Sequence, residues 1–374
     1  MRPLRVLFEP YLIYHMPQFQ PLADLMLGDE RYDVRFSSSG HSEEERRHSL
    51  RCLVDAGCRV IGGATDGERY ATIDKFDPDV VIVGWGRRGY MHHVRDPGRP
   101  VFVMIYHGIG VKASYYHDAH PRIDFRAVES PYRVAQLRDH RVPAEPLLTG
   151  CVKLDPLYGV PPYSRDDTLA SLGLPPDRPT VLYAPTYYPS SIGTLRERIG
   201  TDTQGLNCIV KLHNYTRHHP DYQDDHRVMQ QTAEQFAHVR LVSDDWLNIL
   251  PLYHAADVLL TDASSVMFEY LALDRPVVVC TRHRLYLRHR LFPWFYVRNR
   301  IDTRTLAHRD FYDTVDRPDR LRPVLDRVLA EPGRLAPQRR VAHDTMLHFR
   351  DGCSARRLLE HIDRIAAERG LCTH

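Results

Sequence analysis

The 374-residue chain lacks any apolar run approaching ~18 residues, which excludes a helix that crosses a membrane on its own sequence. It also lacks a C-x-x-C pair. Its seven cysteines stand at 52, 58, 151, 208, 280, 353 and 372. An odd, scattered set of this kind argues for reduced thiols in a cytoplasmic protein rather than a disulfide framework. Charge of one sign is missing too: the formal net charge is +2, so the chain as a whole has no field to attract nucleic acid. No Asp-x-Asp motif stands at a strand end. The paired acids Asp166-Asp167, Asp224-Asp225 and Asp244-Asp245 read as solvated turns or helix starts. No metal and no cofactor is therefore indicated, and the 22 histidines do not indicate one by number alone. The N-terminal apolar run is broken by Glu9 and Pro10, too early for a signal h-region. Short-period repeats and low-complexity tracts are absent as well.

What is present is alternation. Strands are expected at 4–9, 33–37, 58–62, 80–83 and 100–106, with helices at 17–27, 42–56 and 67–76 between them. Ser42 with Glu45 forms a capping-box pattern, and Pro17 and Pro131 sit in first helical turns. The stretch 155–179, rich in Pro, Gly, Ser and Asp, reads as a linker with one short helix near 166–172. Beyond it come strands at 180–184, 208–212, 238–242, 257–261 and 276–280. Helices are expected at 227–237, 247–255 and 264–273, and a helical tail at 318–330, 336–349 and 354–369. Such a chain is too long for one ordinary core. It predicts two α/β domains, 1–155 and 156–374, each a doubly wound parallel sheet built from right-handed βαβ units, facing each other across a ligand cleft. The last C-terminal helix is placed so that it can pack back on the N-terminal domain.

Three segments carry chemistry. In the stretch 259–270, a buried strand runs into Thr261-Asp262-Ala263-Ser264-Ser265 and then an amphipathic helix. Asp262 is read as the helix cap, and Ser264 and Ser265 as hydroxyls at a positive helix end that suits phosphate. A capped helix that binds nothing is the competing reading. The other two segments are apolar runs ending in His107 and in Lys211-Leu212-His213. The carboxyl ends of strands form the ligand crevice of an open α/β sheet. Lys211 and His213, two residues apart, share one face of a strand and can hold a diphosphate.

Four motifs, in order, resemble the CDP-glycerol glycerophosphotransferase family, the primases and polymerases of teichoic acids and some capsules. They are His107-Gly108-Ile109-Gly110-Val111-Lys112, Leu182-Tyr183-Ala184-Pro185-Thr186, Thr261 to Tyr270, and Arg350-Asp351-Gly352-Cys353-Ser354-Ala355-Arg356-Arg357. The similarity runs from about residue 100 to 365. Two departures stand out: Tyr187 and Tyr188 follow where the family has an aromatic residue and an Arg, and Glu269 replaces an Asp.

The resemblance implies a GT-B-like fold. It implies transfer of glycerol phosphate or ribitol phosphate from CDP-glycerol or CDP-ribitol to a hydroxyl of a glycan or polyprenyl-linked acceptor, with release of CMP. His107 would be the base, with Gly108 and Gly110 allowing close backbone approach. His213 and Lys211 would hold donor phosphate and steady the leaving CMP. Thr186, Asp262, Ser264, Ser265 and Glu269 complete the expected donor side, Glu269 on the ribose. Thr186 touches phosphate or ribose, or else caps a turn. Lys153 and Asp155 are read as domain-linking, with a donor contact as the alternative. The alternative is a glycosyltransferase or 2-epimerase of the same fold acting on a nucleotide sugar.

One further stretch, 282–300, interleaves arginines with Tyr286, Leu291, Phe292, Trp294 and other apolar residues. It suits an anionic membrane surface on the cytoplasmic face, or equally a partly buried loop with a basic rim.

Overall fold

The computed structural model describes the chain except residues 1, 40–41, 97, 110–113, 119, 244–245, 284, 293, 295–309 and 372–374. The chain forms two compact units. One comprises Met1–Gly108, Tyr115–Tyr158 and Met346–His374, the other Ile109–Ser114 and Gly159–Thr345.

In the first unit six strands make one sheet: β1 (Leu4–Glu9), β2 (Tyr32–Phe36), β3 (Val80–Val83), β4 (Val101–Ile105), β5 (Phe125–Val128) and β6 (Glu145–Leu148). The order is β2-β1-β3-β4-β5-β6 and every pair is parallel. The strand order reverses at β1 and β3. β3 and β4 are buried along their whole length, as expected for unbroken Val/Ile/Met runs covered by helices on both faces. Hydroxyls set the helix starts. Ser42, Thr65 and Ser130 accept from the N–H groups of Glu45, Glu68 and Arg133, at the third residue of each helix.

The C-terminal helix Ser354–Glu368 belongs to this unit and packs on helix Met16–Leu27. Its first turn has no cap of its own. Asp155, 199 and 200 positions earlier, supplies one: its carboxylate accepts from the N–H groups of Ser354 (3.0 Å) and Ala355 (2.7 Å). Asp155 and Lys153 are buried, in the 3₁₀ turn Val152–Leu157. Gly150 permits the approach: its φ is +94°, and a Cβ there would stand 2.5 Å from the Ser354 hydroxyl. Arg357 lies over the Phe349 ring at 3.7 Å and donates to the Thr149 carbonyl at 3.2 Å. The 350–357 motif thus ties the end of the chain to the first unit.

The second unit repeats the plan with β7 (Thr180–Ala184), β8 (Asn207–Val210), β9 (Val239–Leu241), β10 (Val258–Thr261), β11 (Val277–Cys280) and β12 (Asp313–Val315). Its order is β12-β11-β10-β7-β8-β9, again all parallel, with the reversal between β7 and β10. Val181, Tyr183, Val210, Leu260 and Val278 line one core with Leu321 and Leu325 of helix Leu321–Ala330.

Several expectations need correction. Residues 58–62 make only an isolated bridge, Phe36 with Val60, because Gly62 and Gly63 follow at once and end any ladder. β8 ends at Val210 rather than at 212, and helix Asn214–His218 and the 3₁₀ turn Pro220–Tyr222 follow. The helix expected at 264–273 is one α-turn, Val266–Glu269, running into 3₁₀ Tyr270–Leu273.

Candidate active site

In the first unit the strand ends at the reversal carry a buried polar frame. Glu9, last residue of β1, accepts from Arg69 at 2.7 Å and from the Tyr90 N–H at 2.9 and 3.0 Å. Arg69, fully buried, also bonds the hydroxyls of Ser37 and Ser39. This pair is neutralised from within and supports the loops above it.

His107 follows β4, half-buried. Its Nδ1 lies 2.9 Å from the carbonyl of Gly84, in the loop after β3. A carbonyl only accepts, so Nδ1 carries the proton and Nε2 is the basic nitrogen of the neutral ring. The ring is clamped by stacking. His15 lies parallel at 4.2 Å between centroids and Tyr106 at 4.5 Å, while Trp85 stands edge-on at 6.5 Å. Gly108 turns the chain away at φ +117°, a conformation that a side chain would strain. Gly110 lies outside the described residues.

In the second unit His213 shows the opposite tautomer. It caps helix Asn214–His218: its Nδ1 accepts from the Tyr215 N–H at 3.1 Å, so the neutral ring bears its proton on Nε2 and donates from there. Tyr187 packs on it at 4.8 Å. Lys211 and His213 are both half-buried on either side of buried Leu212, so the alternation of faces persists past the ladder. The Lys211 N–H still donates to the Tyr183 carbonyl at 2.9 Å.

Asp262 is not a helix cap. It is fully buried at the reversal between β10 and β7, and its carboxylate accepts from the N–H groups of Thr186 (3.0 Å) and Ser191 (3.2 and 3.3 Å). It stitches the loop after β7 to the end of β10. Ser265 takes the cap position of the following turn without a side-chain bond, and the Ser264 hydroxyl is 3.4 Å from that of Thr261. Ser264 and Ser265 are half-buried, Thr186 buried. Glu269, expected on the ribose, is buried and accepts from the Tyr253 hydroxyl at 2.9 Å. Tyr188, at the position where the family has Arg, is also turned inward. Its hydroxyl bonds His289 Nδ1 at 2.5 Å and accepts from the Tyr286 N–H at 3.1 Å.

Sequence reasoning missed Gly84, His15, Ser191 and His283. Only contact in space links them to the site. His283 Nε2 lies 3.4 Å from Asp262. Among the described residues no group of three or more His, Cys, Asp or Glu could hold a metal ion.

Two parallel six-stranded α/β units, each with a histidine at its strand ends, define the GT-B-like fold class. The chain belongs to the CDP-glycerol:poly(glycerophosphate) glycerophosphotransferase family, whose sequence profile matches residues 119–364. Comparison with curated protein sequences gives no match. Among solved structures, the chain is similar to the wall teichoic acid polymerase TagF, with a TM-score of 0.64 and 14% identity over 99% of this chain and 90% of that one. It is similar to a putative UDP-N-acetylglucosamine 2-epimerase from Listeria monocytogenes, with a TM-score of 0.63 and 14% identity over 99% and 98% of the two chains. The UDP-GlcNAc 2-epimerase from Neisseria meningitidis gives 0.57 and 12% over 96% and 100%. At these identities the structural likeness speaks for the fold alone.

Proposed function

We propose that the protein transfers glycerol phosphate from CDP-glycerol to a hydroxyl of a glycan or polyprenyl-linked acceptor, in assembly of a cell-surface polymer of the teichoic acid type. The acceptor oxygen bonds to the β-phosphorus, the bond from that phosphorus to the bridging oxygen breaks, and CMP leaves. The hydroxyl proton passes to His107 Nε2. His213, donating from Nε2, and Lys211 meet the charge that builds on the phosphates. The observation that carries this reading is the pair of opposite tautomers. One ring is fixed as a proton acceptor by the Gly84 carbonyl, the other as a donor by the Tyr215 N–H.

The test is a donor comparison with product analysis. CMP release from CDP-glycerol, or from CDP-ribitol, supports the reading. UDP release or epimerisation with UDP-sugars, and none with CDP-polyols, overturns it.

The same proposal places the protein on the inner face of the plasma membrane. Among the described residues no helix is long and apolar enough to cross a membrane. In the stretch 282–300, Tyr286 and His289 are anchored inward on Tyr188, whereas Leu291, Phe292 and Trp294 are 63%, 54% and 63% exposed. Apolar side chains beside arginines suit an anionic interface. Replacing Leu291, Phe292 and Trp294 with Ser should release the protein from anionic vesicles in a sedimentation assay. Equal sedimentation of wild type and variant would remove the membrane role.

A further inference from the structure

His283 stands three residues past the end of β11, next to β10 in the sheet. Its side chain is 15% exposed, and its Nε2 lies 3.4 Å from Oδ1 of the fully buried Asp262 without a hydrogen bond between them, so this buried ring nitrogen has no hydrogen-bond partner among the described residues. Asp262 accepts from the backbone N–H groups of Thr186 and Ser191. Thr281 fixes the segment by donating from its N–H to the Val315 carbonyl at 3.0 Å.

The sheet order then sets a row along the carboxyl ends of β11, β10, β7 and β8: His283, Asp262 with Ser264, Thr186 with Tyr187, and Lys211 with His213. It is centred on the reversal between β10 and β7, where ligands of such sheets bind.

We propose that His283 is a further binding residue for the donor, contacting its diphosphate. The ring donates an N–H to a phosphate oxygen of the bound donor, and its place beside Asp262 sets it at the end of β11 facing the same row. The inference rests on the nucleotide-diphosphate reading given above and adds the residue that reaches the phosphates from the β11 side.

The test dissects the ligand. Isothermal titration of the full chain with CDP-glycerol, CDP and cytidine would compare wild type, His283→Ala and His283→Gln. A charge-assisted hydrogen bond to phosphate predicts a loss of roughly tenfold or more for CDP-glycerol and CDP in His283→Ala. Cytidine binding should stay within twofold, which also reports that the variant is folded. His283→Gln, able to donate but not to carry charge, should recover part of the loss. An unchanged CDP affinity overturns the proposal, as does an equal loss for cytidine, which would mark a structural role. Wild-type protein that binds none of the CDP ligands would instead overturn the functional reading itself, and this proposal with it.

Discussion

His107 and His213 do different work because different backbone groups hold their rings. A donor–acceptor pair of this kind predicts separable kinetic defects. His107→Ala should lower kcat by ~10²–10⁴-fold while CDP-glycerol binding persists, since a base acts only in the transition state. Lys211→Ala should act mainly on the donor KM, because its ammonium meets phosphates present before and during reaction. Steady-state kinetics with varied CDP-glycerol separates the two. A His107 variant within threefold of wild type, or a Lys211 variant altered in kcat alone, would reverse these roles. At this scale the sequence showed residue types at strand ends but not their partners. Asp262 before two serines has the pattern of a cap, yet its carboxylate turns to the loop after β7. Only the pairing of β10 with β7 brings Thr186 and Ser191, more than 70 positions away, to it.

Among the elements, the long apolar strands were legible because parallel strands buried on both faces read as unbroken Val, Ile and Leu. β12, three residues with a single buried Val315, has too little pattern to be seen. The cap of the C-terminal helix was equally hidden, since its acid is 199 residues away. Asp155→Ala should therefore destabilise that helix start by ~1–3 kcal/mol, through two lost bonds at its first turn. Asp155→Asn, which keeps one acceptor oxygen, should lose less. Hydrogen exchange at the amides of 354–358 would show the change as faster exchange there. Protection equal to wild type in Asp155→Ala would mean that packing against helix Met16–Leu27 alone holds the helix.

The pH response belongs to the whole molecule. Asp118 is buried with one oxygen near the Gly86 N–H at 3.3 Å, and burial pushes its carboxyl up from 3.8 to about 7. Between those values the folded chain keeps a proton that the unfolded chain has shed. The contribution of this group to stability therefore falls as pH rises through about 4 to 7, and levels off above. Integrated, the effect is roughly 4 kcal/mol. Asp118→Asn should flatten that slope, so that the variant gains on wild type at pH 8 relative to pH 5 in urea unfolding. An unchanged slope would place the titration elsewhere.

The cap on the C-terminal helix also has a consequence for synthesis. The residues that complete the first unit lie far apart along the chain. Asp155 leaves the ribosome 199 residues before Ser354. At ~5–20 residues per second, that interval is on the order of 10–40 s. Throughout it, helix Met16–Leu27 waits without the helix that carries Leu358, Ile362 and Ile365, while the long segment Gly159–Thr345 of the second unit is translated and can fold. A nascent chain of this design keeps that helix face exposed until the segment 354–368 has been made and closes over it.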